Sequence, residues 1–137
     1  MSELYVPQGG PPQGPPPSRE ILPRIGEEGV RALLRAHYRR LGSSEIAYLF
    51  TGDLVEAADR SADFFIQVLG GPPHYSQKYG PPRMRARHMP FPIDGKARDI
   101  WLLCFREALD EVKFPPEFRA EFEKFLEEFS AWMVNRA

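Results

Sequence analysis

The stretch Pro82-Arg83-Met84-Arg85-Ala86-Arg87-His88-Met89-Pro90 decides how the rest of the chain is read. Prolines stand at both ends, so it can form only a short helix of about two turns. Three arginines share that length with one histidine. A histidine held by a stiff, proline-pinned backbone suits a metal ligand, because a ligating ring must be neutral and fixed in orientation. It equally suits a surface partner of the helix's own C-terminal dipole. The arginines divide in the same way: they are charge-assisted donors for a ligand's carboxylates at a pocket rim, or the solvated face of an exposed helix.

Outward from this stretch, the chain reads as a series of short helices. Residues 70–82 are rich in Gly, Pro and Tyr and predict an irregular loop, in which Tyr75 and Tyr79 could donate to the same carboxylates. Gly70-Gly71-Pro72-Pro73 stops a helix that Asp53 starts and that runs to about Leu69, with Leu54, Ala57, Ala58, Ser61, Phe64, Phe65 and Val68 turned inward. Upstream, Val30, Leu33, Leu34, Tyr38 and Leu41 recur at helical spacing over Glu27–Leu41. Gly42 ends that helix, and Ser43 or Ser44 caps a short one through Tyr48, Leu49 and Phe50. Downstream, Asp94 caps a helix to about Val112 whose apolar stripe holds Ala97, Ile100, Trp101, Cys104, Phe105, Ala108 and Leu109. Pro115 opens the last helix, with Phe118, Phe122, Phe125, Leu126, Phe129, Trp132 and Met133 on its inner face. No strand-like alternation and no repeat appears, so the fold class is all-α.

Length and composition bound the rest. The 137 residues suffice for one domain. Pro7–Pro17 contains six prolines, three glycines and two glutamines, which cannot bury apolar area. Residues 1–18 are therefore expected to be a flexible head outside a domain of 19–137, although Pro15-Pro16-Pro17 has the form of a docking motif. With 18 Lys and Arg against 19 Asp and Glu, the balance argues against nucleic acid. Cys104 is the only cysteine, which excludes an internal disulfide and a Cys-based zinc cluster and points to a reducing compartment, the cytoplasm by default. No apolar run approaches the roughly 20 residues of a membrane span.

Ten Phe, two Trp and five Tyr serve a flat apolar cofactor pocket or a small core equally well. Two aromatics differ from the others: Tyr38 and Trp101 lie on apolar helix faces yet carry polar hydrogens, and an unpaired buried donor costs about 1–3 kcal/mol. Their acceptor is a bound ligand such as O2, or a neighbouring side chain or buried water.

Taken in order, three segments resemble the group II truncated haemoglobins: His37-Tyr38-Arg39-Arg40; Gly70-Gly71-Pro72-Pro73-His74-Tyr75-Ser76 followed by Arg83–Phe91; and Arg98-Asp99-Ile100-Trp101-Leu102-Leu103-Cys104, with Trp101 thirteen residues beyond His88. The resemblance covers about residues 25–135. It implies a truncated globin-like two-over-two helical sandwich around one haem b (iron protoporphyrin IX), with His88 as the proximal iron ligand and Tyr38 and Trp101 as distal donors. Phe50 would pack on the haem face, and Ala57 and Ser61 would occupy the distal gate and the position one turn on. Arg60, Tyr75, Arg87 and Arg85 would serve the propionates, and Phe64 and Val68 would line the pocket. Three features depart from the family pattern: Phe50 stands where many members have tyrosine, the segment from Phe50 to Gly70 is one residue short, and Pro81 replaces a common histidine.

The implied function is reversible binding of O2, or of NO or CO, at ferrous iron with slow release. Alternatives are redox catalysis on the bound ligand (nitric oxide dioxygenation or peroxide reduction, with an external reductase) and gas or redox sensing. A haem-free interaction domain that recognises partners through its proline-rich head is a third class. Relatives are often dimeric, and monomer and homodimer are both compatible with the sequence.

Overall fold

The computed structural model describes residues 5–137. Six helices follow in order: α1 (Ile21–Leu41), α2 (Leu54–Val68), α3 (His74–Tyr79), α4 (Met84–His88), α5 (Gly95–Glu111) and α6 (Pro116–Met133), with a single 3-10 turn at Ala47–Leu49. Helix α1 packs on α2 and α5, and α5 packs on α6. The two pairs make a two-over-two helical sandwich, all-α as the sequence predicts. Among the described residues, no helix is long and apolar enough to cross a membrane.

The inward faces follow the periodicity. Val30, Leu33 and Leu34 of α1, Ala62, Phe65 and Ile66 of α2, Phe105, Ala108 and Leu109 of α5, and Phe122 and Leu126 of α6 form one buried cluster. Asp53 caps α2 by accepting from the N–H groups of Val55 and Glu56, and Asp94 caps α5 by accepting from Ala97. Helix α1 starts six residues before the predicted Glu27, since Pro23 and Gly26 interrupt the apolar repeat. Gly26 is non-helical at φ 73°, yet Ile21 ahead of it is fully buried.

The end of α2 explains the paired glycines. Gly71 N–H donates to the Ile66 carbonyl at 2.9 Å and Gly70 N–H to the Gln67 carbonyl at 3.1 Å, the bond pair of a Schellman stop. Gly70 takes the left-handed conformation this requires, at φ 91°. Gly71 is needed for space: a Cβ there would stand 2.5 Å from Leu22 Cδ2, 2.8 Å from Ile66 Cγ2 and 3.0 Å from the Ile66 carbonyl oxygen.

One expectation changes. Within the predicted loop 70–82, residues 74–79 form helix α3. Six residues have little helical stability alone, so their order comes from tertiary contacts. Gln67 receives the Ser76 N–H at 3.0 Å and donates to Ser76 Oγ at 2.8 Å. His74 Nε2 lies 2.8 Å from Glu27 Oε1. Asp63, 1% exposed, accepts from Lys78 of α3 and from Arg31 of α1, each at 2.9 Å. Burial pushes the Asp63 carboxyl up, but these two donors outweigh it and hold the group below the usual carboxylate range.

The proline-rich head is described from residue 5 onward. Its described part, residues 5–18, has no helix or strand but lies against α4 and α6. The Ser18 N–H donates to Glu121 Oε1 at 3.1 Å, the Tyr5 carbonyl accepts from Arg85 at 2.6 Å, and Pro17 is buried. Proline and glycine offer little surface to bury, and both bonds are made by main-chain groups of the residues that flank the proline run.

Replacing Gly71 with alanine is expected to destabilise the fold by about 1–3 kcal/mol, as overpacking does, measured as a lowered midpoint of urea unfolding with an unchanged slope.

Candidate functional site

Side chains from all six helices line a cavity of about 470 Å3, within the range of about 300–1,000 Å3 typical of small-molecule and cofactor sites. His88, at the last position of α4, is among them. Its Nδ1–H donates to the Met84 carbonyl at 2.6 Å, which fixes the tautomer and leaves the Nε2 lone pair without a partner. Burial lowers the pKa of the ring, against a smaller opposing effect of the Met84 bond, so the ring is neutral. A neutral imidazole with its far nitrogen tied to a carbonyl is the form that binds metals. Among the described residues, no group of three or more His, Cys, Asp or Glu comes together as a metal site. A metal taken up by His88 must therefore bring its other ligands with it, as iron in a macrocycle does.

Tyr38, Ser61, Ala57, Phe50 and Trp101 also line the cavity. Tyr38 of α1 and Ser61 of α2 share a hydrogen bond of 3.0 Å between their hydroxyls. Burial raises the Tyr38 pKa, with Ser61 and Arg60 pulling the other way, so the phenol keeps its proton. Phe50 packs edge-on against Tyr38 at 5.6 Å between ring centroids. Trp101 presents an indole N–H that finds no acceptor among the described residues. Phe50 brings no hydroxyl, so this group of lining residues offers two hydroxyls and one indole.

Arg60, Phe64, Tyr75 and Arg87 complete the predicted residues found on the cavity wall. Arg60 is exposed and makes no hydrogen bond or ion pair among the described residues. Arg87 lies over the Tyr75 ring at 5.3 Å and donates to the Tyr79 and Pro81 carbonyls at 2.7 and 3.2 Å, which ties α4 to α3.

Two predicted residues stand elsewhere. Arg85 turns away from the cavity: its guanidinium donates to the carbonyls of Trp132, Val134 and Tyr5 and stacks on Trp132. Residues two apart on a helix are separated by about 200°, so Arg85 and Arg87 cannot both face the same rim. Val68 packs against the main core and is not on the cavity wall, which Phe64, one turn earlier, already occupies.

Several contributors escaped the sequence reading. Asn135, 2% exposed, donates to the carbonyls of His88 and Phe91 at 3.0 and 2.9 Å and accepts from the Ile93 N–H at 2.9 Å. It secures the segment that follows α4. Arg98 lines the cavity and is pinned by Ser130 Oγ at 3.0 Å and the Glu127 carbonyl at 2.8 Å. His37 is wholly buried and donates from Nε2 to the Trp101 carbonyl at 3.1 Å, while its Nδ1 has no partner. An asparagine near the last helix and a histidine on an apolar helix face carry no spacing signal that would have marked them.

Burial drives the His37 pKa down from 6.5 to about 3, the Trp101 bond opposing this and the nearby Arg40 charge adding to it. The folded form therefore resists a proton that the unfolded chain accepts. The contribution is intact above pH 6.5 and is lost as pH falls from there towards 3, by about 1.4 kcal/mol per pH unit. Replacing His37 with phenylalanine is expected to remove that slope, read as stability against pH between 6.5 and 4 by urea unfolding.

Comparison with known proteins agrees with this architecture. The bacterial-like globin family matches residues 22–135. A group 2 truncated haemoglobin of Bacillus subtilis is 40% identical over 113 residues, spanning 82% of this chain and 86% of its own. The crystal structure of phosphate-bound Hell's gate globin IV superposes with a TM-score of 0.87 at 43% identity, covering 91% of this chain and 80% of that one. A truncated oxygen-avid haemoglobin from Bacillus subtilis superposes with a TM-score of 0.80 at 39% identity, over 83% and 98% of the two chains.

Proposed function

The chain belongs to the group II truncated haemoglobins, and from that membership we propose that it holds one haem b through His88 and binds O2 reversibly, with slow release. The observation that carries the reading is that one cavity is lined both by a histidine with an unpaired imidazole nitrogen and by a set of proton donors. Haem bound there supplies a ferrous iron able to take a diatomic ligand. His88 offers the neutral Nε2, oriented by the Met84 carbonyl. Tyr38 and Trp101 offer donors, and Ser61 orients the Tyr38 hydroxyl. Arg60, with its unpaired guanidinium, Arg87 and the Tyr75 hydroxyl are the candidates for the two propionates, since carboxylates favour charge-assisted donors. Ala57 leaves space in the wall on the distal side.

Slow release follows from the donors. A hydrogen bond to a ligand that gains negative character is charge-assisted, worth about 1.5–3 kcal/mol. Its loss changes dissociation by about ten- to a hundredfold. The Bacillus subtilis relative described as oxygen-avid is consistent with such a distal side.

Purified protein reconstituted with haem is expected to show a Soret band that His88→Gly removes or displaces; no band in the unaltered protein would refute haem binding. Trp101→Phe is expected to speed O2 release about ten- to a hundredfold in stopped-flow measurements, and an unchanged rate would remove Trp101 from the distal set.

A further inference from the structure

We propose that His37 is a positioning residue for the distal donors, holding the Trp101 indole at a set distance from the Tyr38 hydroxyl. The inference rests on the reading of Tyr38 and Trp101 given above and adds a residue that does not itself line the cavity.

Tyr38 and Trp101 belong to different helices, so their spacing depends on how α1 and α5 are held together beside the cavity. At that level the connection is made by His37, whose Nε2–H reaches the backbone carbonyl of Trp101 itself at 3.1 Å. The other side-chain bonds from α1 to α5, from Arg39 and Arg40 to Glu111, lie at the last residue of α5. The His37 ring also meets both donors edge-on: its centroid is 5.0 Å from the Trp101 ring at an interplanar angle of 83°, and 5.7 Å from the Tyr38 ring at 81°. One side chain thus touches the two groups whose separation matters.

Packing alone does not call for an imidazole here. Phe105 lies 4.1 Å away between centroids, and a phenyl ring at position 37 would fill the same apolar space. Instead the chain keeps a wholly buried ring with Nδ1 unsatisfied, a choice that weakens the fold. What the imidazole supplies and a phenyl cannot is the bond to the Trp101 carbonyl. A rule of good packing broken beside a ligand cavity is the pattern expected where position is worth more than stability.

The test uses haem-loaded ferrous protein under carbon monoxide, with the infrared C–O stretch as the reporter of the distal field and O2 release as a second readout. His37→Phe is expected to move the band to higher wavenumber or split it, and to speed O2 release several-fold, while the thermal midpoint stays level or rises. His37→Gln, whose amide nitrogen matches Nε2 in reach, is expected to return the band towards its original position. A band and release rate unmoved by His37→Phe would overturn the proposal and leave the residue as packing, and so would a His37→Gln protein behaving like His37→Phe. Trp101→Phe separates the two levels. If it moves the band and His37→Phe does not, the positioning role alone falls; if it leaves the band in place, the assignment of Trp101 falls and the positioning role with it.

Discussion

Five residues form α4, and a helix of that length cannot hold itself together in water. Everything the cavity offers depends on this constraint being met from outside, because the direction of the His88 ring is set by a carbonyl within those five residues. The prolines around the segment limit the unfolded alternatives. Asn135 then holds the backbone after the histidine, Arg85 joins α4 to the carbonyls of residues 132 and 134, and Arg87 joins it to the end of α3. Helix α3 is itself short and is held by Asp63 and Gln67 of α2. The histidine is thus supported from two directions, through α3 by α2 and through residues 132–135 by α6.

Polar satisfaction is distributed unevenly across the molecule. Away from the cavity it is nearly complete, with His37 Nδ1 the exception: Asp63 has two cationic partners, Asn135 uses both ends of its amide, and the caps of α2 and α5 are filled. At the cavity, the His88 Nε2 and the Trp101 indole N–H are left without partners among the described residues, and the exposed Arg60 guanidinium is also unpaired there. Buried or confined polar groups are normally paired. An acceptor and a donor left open around one largely apolar volume are complementary to a ligand that carries both kinds of group.

The four long helices were legible because burial imposes a period that the sequence displays: Val30, Leu33 and Leu34, or Phe122 and Leu126, need no partner in view to be recognised. The α2 stop was legible because only glycine meets both its conformational and its spatial demand. Helix α3 was not, since its order comes from Asp63, Glu27 and Gln67, which local pattern cannot connect to residues 74–79. Arg85 shows a different limit. Its chemistry announced a partner rich in electron density, but a propionate and a main-chain carbonyl meet that description alike, and only the fold says which lies within reach. His88, Tyr38 and Trp101 became conspicuous through their order along the chain and their resemblance to a family, whereas Asn135 acts through the backbone, where side-chain identity leaves little trace.

The Asn135 tie also bears on timing. It joins positions 47 residues apart, and its second member lies just beyond the last helix. On a chain made from its N-terminus, the segments carrying Tyr38, Ser61, His88 and Trp101 all emerge before residue 135 can secure the histidine's backbone. Maturation would then pass through a stage in which most of the cavity wall has been made but the backbone at His88 is not yet secured, and a ligand arriving early would meet a looser site than the finished one.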